Sequence, residues 1–322
     1  MNQSRLEGLD ALRGFAALIV LIYHLCEALG VRSMFPRGYL AVDFFFMLSG
    51  FIMARTYGRR LEEGLSLPTF MGLRWRKLWP IAAFGSILGL ATFQGPWQAA
   101  VAGLLLMPWF AGATAFTLNT PVWSLHFELF ANLVHRFIER HLTLVLVISW
   151  PLFAMATAVH GSAAFGMMTE HFSFGYARVL ASYSLGVFLF RQFGDTPPAR
   201  LPWLILILPA MIWIPTAKLD VVIAAAMALV IIGGLSFNPR WGPAIGAISF
   251  PLYAVHHPLL FRFHPWWGLL LSLILAVIIA RLLALRQQRK DAARQARIGA
   301  GSESFPAGGA AGGGRACTEP PH

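Results

Sequence analysis

Seven side chains that can carry a charge lie within long apolar stretches of this 322-residue sequence. A charge inside an apolar stretch of membrane length is costly, so such residues are retained mainly where they bind a ligand, move a proton or pair with an opposite charge. We therefore take them as the first candidates for chemistry. They are Arg13, His24, Asp43, Glu128, Arg178, His256 and His257.

Five of these residues are predicted to lie at a similar depth. At about 1.5 Å of rise per residue, His24 lies roughly 7 Å from the outer end of its predicted helix. The same arithmetic gives about 6 Å for Asp43 and about 10 Å for Glu128. Arg178 and His256 each lie about 9 Å from that end. Five separate helices would thus place a polar group in the outer half of a membrane, where the groups could line one buried chamber.

Each candidate also has a structural explanation. A histidine in a membrane helix can simply hydrogen-bond a neighbouring helix, which applies to His24. Asp43 could cap the start of a helix near the interface. Arg13 is close enough to the inner face to extend its guanidinium into water. Glu128 lies deeper, and a structural role there needs a cationic partner such as Arg178.

The amino-acid composition indicates the class of protein in which these residues lie. The chain is 57% hydrophobic and 12% charged, and its 25 Lys and Arg outnumber its 14 acidic residues. These values exclude a disordered chain, a coiled coil and an ordinary soluble enzyme, and they are typical of a helical membrane protein. Positively charged cytoplasmic loops explain the basic excess better than nucleic-acid binding does. The two cysteines form no metal-binding or disulfide pattern.

The apolar runs predict an all-α, polytopic membrane protein with about ten transmembrane helices. One further segment, 97–111, is short, contains Gly103 and Pro108, and is predicted to be re-entrant or interfacial. The ten spans are predicted at 11–29, 39–55, 78–94, 121–138, 142–160, 172–190, 202–216, 220–236, 244–262 and 266–285.

Basic residues predict the orientation of these helices. The 55–77 loop carries six Lys or Arg against two Glu, and the end of the last span is again basic. Both regions should be cytoplasmic, with both termini on that side and 97–111 returning to the outer face. We expect one membrane domain over 1–290, with a retained first helix rather than a cleaved signal peptide. A disordered cytoplasmic tail is expected over 291–322.

Six short motifs occur along the chain in a fixed order. Arg13 and His24 are separated by ten residues, which places them about three helical turns apart and near one face. The other motifs are GYLAVDFFFMLSGFIMA (38–54), RWRKLWP (74–80), PVWSLHFELF (121–130), RVLASYSLG (178–186) and IGAISFPLYAVHHPLL (245–260). Together they resemble the membrane acyltransferase family 3, the integral-membrane O-acyltransferases of the polysaccharide and O-antigen acetylase type.

The sequence departs from this family pattern at three positions. Lys77 stands where the family usually has an arginine, and a compact ammonium does not make the two-pronged contact of a guanidinium. Phe250 replaces a common tyrosine, and Tyr183 replaces a common phenylalanine. The resemblance covers about residues 5–265.

The resemblance implies an enzyme of the bacterial inner membrane that moves an acyl group, most often acetyl, from cytoplasmic acyl-CoA to a hydroxyl of a cell-envelope saccharide or related acceptor. It implies no metal. The cytoplasmic cations Arg74, Arg76 and Lys77 would hold the phosphates of coenzyme A. The other site residues that it implies are the catalytic candidates His24, Glu128, Arg13, Asp43 and Arg178, and the substrate-site candidates Trp123, Ser124, Tyr253 and His256.

Two chemical routes are open for His24. Its neutral imidazole could take the proton of the acceptor hydroxyl as the oxygen attacks the thioester, or it could accept the acyl group before passing it on. Glu128 could orient His24 and stabilise its protonated form, while Arg178 could pair with Glu128 or stabilise an oxyanion.

Two other classes of function also fit part of the pattern. A transporter or flippase of an envelope precursor carries charges near the middle of the membrane too. A non-catalytic membrane partner could use the same scaffold, and it would tolerate the loss of His24.

Overall fold

The computed structural model describes residues 5–196 and 200–302, and the described chain is helical. The β-type pairing found among these residues is one isolated bridge between Thr114 and Met168. The prediction of an all-α fold is therefore confirmed. The α-helices of the described residues are α1 (Glu7–Ala28), α2 (Ala41–Met53), α3 (Arg59–Glu62), α4 (Leu67–Leu90), α5 (Trp97–Leu104), α6 (Val122–Leu133), α7 (His135–Arg140), α8 (Leu142–His160), α9 (Phe174–Phe193), α10 (Ile207–Ile212), α11 (Asp220–Leu235), α12 (Gly242–Arg262) and α13 (Pro265–Ser302).

Six helical stretches in the described part of the chain are long and apolar enough to cross a membrane. The chain is thus a multi-pass membrane protein. Each of the ten predicted spans overlaps a helix, whereas the count of ten crossings and their orientation stay predictions. The six stretches are Glu7–Ala28, Gly38–Glu62, Leu142–His160, Ala217–Leu235, Gly242–Arg262 and Pro265–Ala293.

Three predicted segments differ most from a single straight helix. The span at 121–138 is divided into α6 and α7 at Val134, whose φ of −94° and ψ of 8° leave the helical region. The span at 202–216 consists of a 3₁₀ turn followed by the six-residue α10. The segment 97–111 contains the eight-residue α5, which rises only about 12 Å and is too short to cross a bilayer.

Local signals determine where the helix that carries the basic cluster begins. The hydroxyl of Ser66 accepts a hydrogen bond from the backbone N–H of Thr69 (3.4 Å) at the start of α4. Pro68 occupies an early position of the same helix, where its missing N–H leaves no bond unmade. This start places Arg74 and Lys77 in the first half of α4.

Glycines let helices approach closely at two crossings. A Cβ on Gly50 of α2 would overlap the backbone oxygen of Tyr183 on α9, and one on Gly186 would overlap the backbone oxygen of Met47. The crossing of α1 with α12 is similar, because Gly14 leaves no room for a side chain. Small residues at such crossings are typical of helix packing in membranes. The crossing of α1 with α12 holds together two helices that line one cavity, with Arg13 on the first and Tyr253 on the second.

The helix α2 does not finish in a regular α-helical turn. Residues Ala54–Gly58 form a π-helical stretch that leads into α3. A π-helical turn holds about one residue more than an α-helical turn. Within this stretch Arg55 donates to the carboxylate of Asp195 from Nε (2.5 Å) and from Nη2 (2.7 Å), so the stretch is tied to the loop that follows α9.

Residues 281–322 form a unit that is separate from residues 1–280. Its described part, 281–302, is helical, and the side chains described there are exposed. The tail predicted over 291–322 is thus helical as far as Ser302. The remainder of that tail, 303–322, lies outside the described residues.

Candidate functional site

A cavity lies between α1, α2, α4, α6 and α12, with a volume of about 810 Å³ including the part open to solvent. Its apolar lining comes from Val42, Phe45, Phe46, Leu48, Ile52, Leu78, Leu125 and Phe250. Its polar lining comes from Arg13, Ser49, Arg74, Lys77, Ser124, Glu128, Ser249 and Tyr253.

Glu128 and Arg74 form an ion pair in the wall of this cavity. Nη2 of Arg74 lies 2.7 Å from Oε1 of Glu128, and the two side chains are 4% and 17% exposed. The hydroxyl of Ser49 donates to the same carboxylate oxygen at 2.8 Å. Nε of Arg74 is buried and has no hydrogen-bond partner in the described chain. This donor is therefore unsatisfied within the described chain.

The cavity lining carries an excess of positive charge. Arg13, Arg74 and Lys77 face one carboxylate, that of Glu128, which leaves two positive charges uncompensated among the lining residues. Arg76 is exposed and is not among the lining residues. Arg74 and Lys77 of the predicted basic cluster thus line the cavity, whereas Arg76 does not, because a neighbour on a helix points about 100° away.

A second cavity shares Arg13 and Ile52 with the first. In this second cavity Asp10 contacts two arginines, with Arg5 Nε at 2.6 Å and Arg13 Nη1 at 3.6 Å. The lining also includes Arg55. The two adjoining cavities carry five cations, Arg5, Arg13, Arg55, Arg74 and Lys77, against the carboxylates of Asp10 and Glu128. This cationic approach begins near the start of α1.

Tyr253 and Ser124 form a hydrogen-bonded pair in the lining of the main cavity. Their hydroxyl oxygens are 2.7 Å apart, and the Tyr253 hydroxyl donates to the backbone oxygen of Pro121 at 3.0 Å. Trp123, the neighbouring substrate-site candidate, is buried and does not line the cavity. Its ring instead lies 5.2 Å from the guanidinium of Arg178. Two of the three predicted residues in this region are therefore cavity residues.

A cluster of three histidines lies where α1 meets α12. The ring of His24 is 5.2 Å from that of His256 and 5.3 Å from that of His257. Nδ1 of His24 contacts a carboxylate oxygen of Glu27 at 3.0 Å. The ring of Tyr253 lies 5.8 Å from that of His256. Tyr253 thus contacts both the cavity and this histidine cluster.

Asp43 and Arg178 form a fully buried ion pair, with Nη2 of Arg178 2.6 Å from Oδ2 of Asp43 and both side chains 0% exposed. Ser182 donates to Asp43 at 3.0 Å. Arg178 also donates to the backbone oxygens of Ala163 (2.7 Å) and Tyr39 (3.0 Å). This pair fastens α2 to α9 and does not line the cavity.

The expectation of one chamber shared by five polar residues was therefore wrong. Glu128 belongs to the cationic cavity, His24 and His256 belong to the histidine cluster, and Asp43 is paired with Arg178 inside the protein. Arg178 does not reach Glu128, whose cationic partner is Arg74. The depth of a residue follows from its position along a helix, but the direction in which its side chain points depends on how the helices are rotated.

Two residues of these groups were not identified in the sequence. Glu27 follows His24 by three positions, a spacing that brings side chains together on one helix face, and this spacing was the available signal. The signal that could have identified Ser49 was its hydroxyl within the apolar run 44–53. Its contact with Glu128 depends on how α2 packs against α6.

Comparisons with known proteins add to this geometry. Residues 6–285 match the model of a family described as an acyltransferase domain. "Protein 2 in picA locus" of Rhizobium radiobacter is 33% identical over 183 residues, covering 47% of this chain and 93% of that protein. "Acyltransferase MdmB" of Streptomyces mycarofaciens is 30% identical over 145 residues, covering 38% of this chain and 36% of that protein. No solved structure gives a significant match.

Proposed function

The chain belongs to this acyltransferase family, whose model it matches over residues 6–285, and we propose that it moves an acyl group, acetyl in the first instance, from acyl-CoA to a hydroxyl of a cell-envelope saccharide or related acceptor. That it is a membrane acyltransferase follows from the family and from its long apolar helices. The choice of donor and acceptor is the proposal.

The charge of the main cavity is the observation that carries the proposed donor. Its lining holds Arg13, Arg74 and Lys77 against Glu128, and the buried Nε of Arg74 has no partner in the described chain. An unpartnered buried donor is destabilising unless a ligand supplies an acceptor. Phosphate oxygens are such acceptors, and contacts between a guanidinium and a phosphate are strong. Coenzyme A carries phosphates, so these residues fit it.

The apolar part of the lining suits the rest of the donor. Phe45, Leu78 and Phe250 line the same cavity as the cations. A pantetheine arm and a short acyl group carry no net charge, so they can be held against such side chains once the phosphates are fixed. We propose that the thioester points toward Ser124 and Tyr253.

His24 is the proposed general base. Its side chain is 19% exposed, so an acceptor hydroxyl can approach it, and its Nδ1 is held by Glu27. The free Nε2 would take the hydroxyl proton while the hydroxyl oxygen attacks the thioester carbonyl. The carbon–sulfur bond then breaks, and the thiolate of coenzyme A leaves with the proton returned by the imidazolium. Glu27 would stabilise the imidazolium that forms, which is the role that the sequence had suggested for Glu128. Transfer of the acyl group through His24 itself is the alternative route.

The two halves of the proposed site meet at Tyr253. This side chain lines the donor cavity and contacts His256, which in turn contacts His24. Transfer between the cavity and His24 therefore requires that the contact between Tyr253 and Ser124 open or that the substrates pass beside it. We propose that Asp43 and Arg178 support this wall by holding α2 in place.

We propose that the protein lies in the bacterial inner membrane with both termini in the cytoplasm. The cationic approach through Arg5, Arg13 and Arg55 then faces the cytoplasm, where acyl-CoA is made, and the histidine cluster lies toward the outer face. The acceptor would enter from that outer side.

Mass spectrometry of envelope glycans tests the proposal. Cells that carry the protein, cells without it and cells with His24→Ala are compared at matched expression. We expect a glycan species heavier by one acyl group in the first strain and its loss in the other two. Identical glycan masses in all three strains would refute saccharide acylation. Accumulation of glycan precursor with no change in its mass, in cells without the protein, would favour a flippase.

A further inference from the structure

A buried nitrogen beside His24 lacks a hydrogen-bond partner. His256 is 1% exposed, and its Nε2 makes no hydrogen bond in the described chain. Buried polar atoms in folded proteins nearly always have a partner, so each exception calls for an explanation. The nearest ionisable ring in the cluster is that of His24, with centroids 5.2 Å apart.

The contacts of His256 determine which of its nitrogens carries hydrogen. Nδ1 lies 2.8 Å from the backbone oxygen of Tyr253 and 3.1 Å from that of Leu252. A carbonyl oxygen can only accept, so Nδ1 is the donor and bears the hydrogen. In the neutral ring Nε2 therefore holds a lone pair and is an acceptor.

The contacts of His24 lead to the same assignment. Its Nδ1 lies 3.0 Å from a carboxylate oxygen of Glu27, and an ionised carboxylate can only accept. Nδ1 of His24 thus bears a hydrogen, and Nε2 of the neutral ring is an acceptor. Two acceptors cannot bond to each other, so neutral His24 offers no hydrogen to Nε2 of His256.

One added proton changes this relationship. When Nε2 of His24 is protonated it becomes a donor, and Nε2 of His256 is then a matching acceptor. The 5.2 Å between the centroids is about the separation that an in-line nitrogen–nitrogen hydrogen bond of roughly 3 Å leaves between two imidazole centres. We propose that His256 is a positioning residue that accepts a hydrogen bond from protonated His24, so that the two rings hold one proton between them.

Other titratable groups surround the two rings. Glu27 and Tyr23 contact His24 from α1, and His257 and Tyr253 contact the pair from α12. Arg262 adds a positive charge that bears on His257. His257 is as close to His24 as His256 is, but its ring is stacked on Phe261, with centroids 4.4 Å apart, and no atom of His257 is among the buried unpartnered atoms of the described chain.

The inferred bond gives His256 a role in the proposed reaction, and this part rests on the proposed function. The bond exists only after His24 has taken a proton, so it stabilises the state formed during transfer more than the resting state. Interactions of this kind accelerate a reaction, whereas equal stabilisation of both states does not.

Chemical modification across a pH series tests the pair without acyl transfer. Diethyl pyrocarbonate reacts with unprotonated imidazole, and the tryptic peptide 14–32 contains His24 as its one histidine. The rate of His24 modification in purified protein therefore gives the midpoint pH of its protonation. His256→Phe and His256→Leu remove the acceptor, His256→Gln keeps an oxygen that can accept, and His257→Phe is the matched control.

We expect the midpoint to fall by about half a pH unit or more in His256→Phe and His256→Leu, a roughly threefold weaker proton affinity. His256→Gln should retain most of the wild-type midpoint, and His257→Phe should leave it nearly unchanged. An unchanged or higher midpoint without the acceptor, or an equal fall in His257→Phe, would overturn the proposal. A shift in a protein that transfers no acyl group would reject the proposed function and leave the pair intact.

Discussion

Nη2 of Arg74 lies 2.7 Å from Oε1 of Glu128, so the carboxylate of α6 is held by the basic helix α4 and not by Arg178. This contact assigns Glu128 to the cationic cavity. The carboxylate that contacts His24 is that of Glu27 instead. Binding of an anionic donor and removal of the hydroxyl proton are thus proposed to depend on two separate acidic residues.

Lys77→Gln should weaken acyl-CoA binding by about tenfold, because it removes one of the uncompensated positive charges in the cavity lining. Arg76→Gln is the matched control, since Arg76 is on the same helix and is exposed like Lys77 but does not line the cavity. Its affinity should change by less than about twofold. Titration calorimetry at one fixed ionic strength measures the acyl-CoA affinity of both variants. Equal effects of Lys77→Gln and Arg76→Gln would mean that these basic residues act only in membrane orientation.

His24→Ala should lower the turnover of acyl transfer by at least about 10², the usual contribution of a general base. Affinity for acyl-CoA should stay close to that of the wild type, because His24 is not among the residues that line the donor cavity. Steady-state kinetics with a binding assay separate the two quantities. A well-expressed variant with near-normal turnover would exclude His24 from the chemistry.

Asp43→Asn should destabilise the protein by roughly 3 kcal/mol, because it leaves the charge of Arg178 buried without its counter-ion. The matched control is Glu63→Gln, which breaks the exposed pair between Arg59 and Glu63 and should cost less than about 1 kcal/mol. Chemical unfolding in detergent micelles gives both values. Similar losses in the two variants would show that the buried pair contributes little.

Glu139→Gln should change how stability depends on pH. Glu139 lies on the short helix α7, outside the six long apolar helices, and burial raises the pKa of its carboxyl to about 7. Between the ordinary pKa of this carboxyl and its raised value, the folded protein keeps a proton on Glu139 that the unfolded chain has lost. This difference in proton binding lowers the free energy of unfolding as pH rises from about 4.5 to about 7. The free energy of unfolding of Glu139→Gln relative to wild type should increase over that interval. A difference that is constant with pH would contradict the raised pKa.

Cysteines introduced at two exposed positions test the orientation. Glu63 and Ala113 are both exposed, and they lie in loops predicted to be cytoplasmic and outer, respectively. In a background with Cys26 and Cys317 replaced by serine, an impermeant thiol reagent added to whole cells should label Ala113→Cys and leave Glu63→Cys unlabelled. Labelling of both from one side would refute the predicted topology.

The sequence predicted the helices better than it predicted their contacts. Long apolar runs identify membrane helices because the bilayer excludes unpaired backbone groups, and each predicted span overlaps a helix. The break at Val134 was missed, since neither proline nor glycine marks it. Arg74 and Lys77 were predicted to lie in the loop that leads into the third span, whereas both lie on α4 and line the cavity.

Which polar residues meet could not be predicted in the same way. The pairing of Asp43 with Arg178 depends on the rotation of α2 and α9 about their axes, which is fixed by the contacts of Gly50 and Gly186. A sequence shows that these glycines exist but not which backbone they touch. The partner of Glu128 was misassigned for the same reason.

The π-helical stretch Ala54–Gly58 gives this region a tolerance for a change in length. Deleting one residue there would allow the stretch to close as a regular α-helix, without breaking the chain of backbone hydrogen bonds. Four α-helical residues turn through about 400°, roughly as far as the five residues of the π-helical stretch. A chain one residue shorter at this point would therefore still present its basic loop in nearly the same direction, whereas a deletion within the regular part of α2 would rotate that loop by about 100°.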